Sequence, residues 1–130
     1  MKRSLTLGFA LVVALLASAA AAEGNKKVSD PATATKVRSA IEQHVKQEEQ
    51  VKGGFFLRDP QEKAIRDLRF DHVHQGVEKT PDNRFVSCVD FVDQNNNRLD
   101  VDFYLEPSGN DLKVSKVKIH KVNGVERKNP

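Results

Sequence analysis

Between Asp30 and Gly53 the apolar positions fall three and four residues apart: Ala34, Val37, Ile41 and Val45, with Ala40 beside them. That spacing gathers them into one stripe on an α-helix, and Lys36, Arg38, Glu42, Gln43, Lys46, Gln47, Glu49 and Gln50 cover the remainder. Asp30 is placed to cap the first free amides, and Pro31 follows at the one helical position where a missing N–H costs nothing. Gly53-Gly54 ends the pattern. The expectation is one amphipathic helix of about six turns.

Beyond Gly54 the period drops to two and stays there, which predicts strands at residues 55–58, 63–74, 85–93, 99–106 and 112–122. Turn chemistry separates them: Asp59-Pro60, a loop over 75–84, the polar run 94–98, Pro107-Ser108-Gly109-Asn110, and finally Asn123-Gly124, a strong hairpin signal. The fold class expected is α+β, one long N-terminal helix packed on a four- to five-strand antiparallel meander. In the 63–74 strand, Leu68, Phe70 and His72 are assigned to one face and Arg69 and Asp71 to the other. A hairpin closing at 94–98 sets Val89 opposite Phe103 and Asp90 opposite Asp102. Facing aspartates are destabilising without a cation beside them. Arg69 on one side, and Lys116 and Lys118 on the other, are expected to complete an Arg, Asp, Asp, Lys ladder on the exposed face, given a bulge near Ser115 and Lys116.

The first 22 residues read differently. Lys2 and Arg3 precede an apolar run over 5–16 and then the small residues 17–22, the layout of a secretory signal peptide cut after Ala22. Residues 23–29 are read as a disordered leader, 30–126 as a single domain and 127–130 as a tail. Localisation is then periplasmic or secreted, with no membrane span in the mature chain. The whole chain carries 21 Lys and Arg against 18 Asp and Glu; without the first 22 residues the balance is 19 against 18. A near-neutral domain with no basic stripe excludes a nucleic-acid binder of the electrostatic kind. Cys88 is alone and forms no internal disulfide, so it is expected to be a free thiol, most simply a small buried hydrophobe.

Candidate chemistry is sparse. His72-Val73-His74 puts two imidazoles on one strand face, the seed of a ligand or metal site, but zinc needs three or four ligands. The assigned register leaves Cys88 and His120 on the opposite face, a conclusion that a bulge would reverse. Asp93-x-Asn95-x-Asn97 resembles the start of a calcium loop but has Arg98 where glycine is required and Tyr104 where glutamate is required, so it is read as a turn. No catalytic residue and no cofactor is assigned. Phosphate-loop, nucleophile-elbow and CxxC motifs are absent.

A long helix across an antiparallel meander resembles the cystatin-like folds, including NTF2-like and PepSY-type exported domains, over about residues 30–126. The likeness is of topology alone and transfers no residue. Glu49 stands where the Gln-x-Val-x-Gly loop of cystatin inhibitors would begin, so that motif is absent. The stretch 86–103 followed by Ile119-His120-Lys121-Val122-Asn123-Gly124 also looks like small uncharacterised exported bacterial proteins. Three classes of function stay open: a non-enzymatic binding or interaction module with an envelope or extracellular protein partner, a small-ligand or metal-binding domain using His72 and His74 with Phe70, and an NTF2-like enzyme with one of those histidines as base.

Overall fold

The structure, a computed structural model, describes residues 24–128, and the expected signal segment 1–22 lies outside them. Its elements in chain order are β1 (Lys26–Lys27), α1 (Pro31–Lys52), β2 (Phe55–Asp59), β3 (Ala64–Lys79), β4 (Phe85–Val92), β5 (Arg98–Ser108), β6 (Asp111–Val122) and β7 (Val125–Glu126). The class is α+β: one helix on a curled antiparallel sheet. The strands exceed the four or five expected, because two-residue strands flank the five found by periodicity. The helix is also not the first element, since Lys26–Lys27, inside the stretch read as a leader, pair with Lys79 and Glu78.

The helix follows its sequence signals closely. The Asp30 carboxylate accepts from the Thr33 amide at 3.0 Å, Pro31 opens the helix, and Gly53 closes it in the left-handed region at φ 77°. Its stripe of Ala34, Val37, Ile41 and Val45 is buried against the sheet. There it meets Phe55, Leu68, Val73, Val77, Val89, Phe91, Leu99, Val101, Phe103, Leu105 and Ile119. Phe55, Phe91 and Phe103 stack on one another with centroids 5.2 to 6.1 Å apart, so aromatic side chains fill the space beneath the helix. No helix among the described residues is long and apolar enough to cross a membrane.

The sheet is ordered β1-β3-β4-β5-β6-β7, with β2 on the first half of β3 and β1 on its last residues. β3 departs most from expectation. Residues 75–79, read as loop, continue the strand, and between Phe70 and His72 the pairing with β4 slips by one residue, leaving Asp71 as a bulge. Before the bulge, Leu68 and Phe70 point inward; after it, Val73 and Val77 do, and the alternation has changed phase. His72 is therefore not on the Leu68 and Phe70 face. The β4–β5 register also differs from the expected one by two residues, with Val89 opposite Val101, Asp90 opposite Asp100 and Cys88 opposite Asp102. A two-residue shift keeps each side chain on its face, so the core assignment survives. On β6 the pairing skips Ser115, which holds Val117 and Ile119 toward the core.

Removing a central ring tests this packing. Phe91→Ala is expected to cost about 3–5 kcal/mol, the range for truncating a buried aromatic, whereas Asp30→Ala, which removes only an exposed helix cap, costs markedly less. Equilibrium denaturant unfolding of both variants measures the contrast; equal losses would contradict it.

Candidate functional site

Two regions bring polar chemistry together, one on each side of the sheet. On the outer face, the bulge at Asp71 sets His72 opposite Asp90. His72 Nε2 lies 3.5 Å from one Asp90 oxygen and His74 Nε2 lies 2.7 Å from the other, while the two rings stack at 5.6 Å. Across the sheet the row runs His72, Asp90, Asp100, Lys121, and the row beside it runs Cys88, Asp102, Lys118. His120 sits at a second irregularity, on β6, with Nδ1 3.4 Å from Asp102 and Nε2 3.1 Å from Glu126.

The expected ladder is thus corrected in its members. Arg69 is opposite Val92, on the far side of the bulge, and makes no ion pair among the described residues; histidine occupies its expected place beside the aspartates. Lys118 is opposite Asp102 as a cation, but Lys116 is opposite Tyr104, whose ring it and Arg84 approach at 5.6 and 4.9 Å. Cys88 and His120 share the outer face with His72, reversing the separation drawn from strict alternation. Burial first, then the charges of Asp102 and Asp100, push the half-buried Cys88 thiol up to about 12, so it stays protonated and unreactive at neutral pH. Phe70 turns inward onto Phe91, so it does not form a pocket with the histidines.

The other region was not visible in the sequence. Asp59, Arg66 and Asp93 are buried, from the end of β2, the start of β3 and the turn after β4. Arg66 Nε donates to Asp59 at 2.8 Å and Arg66 Nη1 to Asp93; Arg127, from the segment read as a tail, adds a bond to Asp59 at 3.0 Å. Backbone amides of Gln61 and Glu62 complete Asp59, and those of Asn95 and Asn97 complete Asp93. The Asp93-x-Asn95-x-Asn97 run is thus a turn closed on its own aspartate, with Asn96 at φ 61°. Burial raises both carboxyls, but it is outweighed at Asp59 by Arg66, Arg127 and the Gln61 and Glu62 amides, and at Asp93 by the Asn97 side-chain amide, the Asn95 and Asn97 backbone amides and Arg66, so both lie below their ordinary value of 3.8. Among the described residues no buried side-chain nitrogen or oxygen lacks a partner.

Beside this cluster lies a cleft of about 1020 Å³ between β2 and β6. Leu57, Val117 and Ile119 give it an apolar floor, and Arg58, Lys116, Lys118 and Lys128 give it a mainly basic margin, with Glu126 as its exposed carboxylate.

Comparison of the chain with protein-family models, with curated proteins and with solved structures finds no match in any of the three.

Truncating Asp59 leaves Arg66 and Arg127 without a shared partner, and Asp59→Ala is expected to cost about 3–5 kcal/mol, as for other broken buried pairs. Because both carboxyls are depressed in the folded state, their contribution is complete above the unfolded value near 3.8 and lost as the pH falls through the lower folded values. Unfolding free energies measured from pH 6 down to pH 2 should fall more steeply for the wild type than for Asp59→Ala; parallel curves would contradict this assignment.

Proposed function

We propose that the chain is an exported, non-enzymatic binding domain on a cystatin-like plan, which takes an extended acidic segment of an envelope or extracellular protein into the cleft between β2 and β6. The observation that carries this reading is the open edge. β6 pairs with β5 along its length, but on its other side, among the described residues, only Lys121 and Val122 meet a strand, β7. β2 pairs with β3 alone among the described residues. Two strand edges therefore flank one cleft, and an added strand gains main-chain hydrogen bonds there while alternate side chains reach the apolar floor.

Charge narrows the occupant. Lys113, Lys116 and Lys118 and the bulge at Ser115 are features that keep an edge from pairing with its own copy. The same lysines, with Arg58 and Lys128, favour a segment carrying Asp or Glu between apolar residues. The aromatic filling beneath the helix favours binding at this surface over catalysis in a cone, and the signal-like pattern of residues 1–22 supports export.

An array of immobilised octapeptides, alternating apolar residues with Glu, Ser or Lys, tests the reading. The Glu series should bind best, and Lys116→Glu with Lys118→Glu should abolish the preference while His72→Ala leaves it intact. Equal binding of the three series, or binding indifferent to the lysines, overturns it.

A further inference from the structure

The outer face carries a separate constellation, independent of the cleft. Of the four histidines in the chain, three (His72, His74 and His120) lie on this one face, each within 3.5 Å of a carboxylate. His72, His74 and Asp90 offer three ligand atoms that all lie within 4.8 Å of one another. We propose that these three residues form a binding site for a divalent first-row transition ion of the zinc type.

The donor set selects the ion class. Two imidazole nitrogens and one carboxylate oxygen suit zinc and its neighbours, whereas magnesium and calcium want oxygen alone. Around an ion at about 2.0–2.1 Å, tetrahedral donors sit about 3.3 Å apart. His74 Nε2 lies 2.7 Å from one Asp90 oxygen and His72 Nε2 3.5 Å from the other, and one ligand atom from each residue lies within 4.8 Å of the other two, so rotations of the exposed rings and of the carboxylate bring the three donors to that spacing. The site is also built by the backbone. The bulge at Asp71 turns His72 toward Asp90, and His74 follows two residues on; without it, the histidines and Asp90 would occupy opposite faces.

Electrostatics supplies an independent reason. Asp90 and Asp100 are directly opposed across β4 and β5, with Asp102 next on the same face, and Arg69, the cation expected beside Asp90, is displaced beyond the bulge. Lys121 and Lys118 stand opposite Asp100 and Asp102 from β6, and a divalent ion on Asp90 relieves the repulsion from the β3 side. An ion held by Nε2 of His74 takes the tautomer with the ring proton on Nδ1, in which Nε2 offers its lone pair. Three protein ligands leave one position for water or a partner's side chain.

The test is calorimetric titration of chelator-treated protein with Zn²⁺, with Mg²⁺ and Ca²⁺ as controls. One equivalent of Zn²⁺ should bind and Mg²⁺ should not, with His74→Ala and Asp90→Asn each weakening Zn²⁺ by about tenfold or more. Imidazole resonances of His72 and His74 should shift together at one equivalent, a readout that does not depend on the variants' folding. Absence of Zn²⁺ binding at millimolar ion overturns the proposal. So does binding that Mg²⁺ matches, or binding lost in Cys88→Ser or His120→Ala but retained in His74→Ala, which would assign the ion to the neighbouring Cys88, Asp102 and His120 group.

Discussion

The register slip at Asp71 decides which side chains of the longest strand face the core and which face solvent. A strand has period two, so one extra residue exchanges the faces of everything after it. Leu68 and Phe70 occupy even-numbered core positions, Val73 and Val77 odd-numbered ones, and the change between them occurs at Asp71. Without the slip, His72 and His74 would enter an interior filled by Phe91 and Phe103, and Val73 and Val77 would lie in water. Burying an imidazole among aromatics without a partner costs more than a bulge that loses one ladder bond, so the slipped register wins.

The buried cluster at the other end of β3 is a second constraint of different character. Arg66 joins Asp59 and Asp93, and Arg127 returns from the C-terminal segment to the same Asp59, so four points of the chain are tied through two arginines and two aspartates. Such a network adds little net stability over an apolar replacement of equal volume, but loses several kcal/mol when one member is removed. Its effect here is geometric: it fixes the approach of the chain's end to β2, and with it one end of the β2–β6 cleft. The cleft then presents a basic margin over an apolar floor, its Lys118 reaching the outer face opposite Asp102, while the far end of that face carries carboxylate with imidazole.

Local signals told most of the fold. The helix, its Asp30 cap and its Gly53 stop follow from spacing and cap chemistry, and the five long strands follow from period two and turn residues. The bulge at Ser115 was legible because the apolar positions on β6 themselves change phase there. The bulge at Asp71 was not: His72 is acceptable on either face, so the phase change between Phe70 and Val73 left no contradiction to read. The Asp59, Arg66, Asp93 and Arg127 cluster was hidden for another reason. Each member sits beside a turn or a chain end, where a charged residue normally means exposure, and only the approach of the β2–β3 hairpin, the turn after β4 and the C-terminal segment buries Asp59, Arg66 and Asp93 and half-buries Arg127. The candidate ion site inherits the first difficulty, since its residues are plain in the sequence while their common face depends on the slip.

The face of His72 and His74 is therefore the point on which this account turns, and nuclear Overhauser contacts measure it directly. The His74 ring protons should show contacts to the Asp90 β-protons, and the Val73 methyls to those of Val89 and the core. Contacts from the His72 ring to the rings of Phe70 and Phe91, with Val73 free of core contacts, would place the histidines inside and contradict both the register and the site built on it.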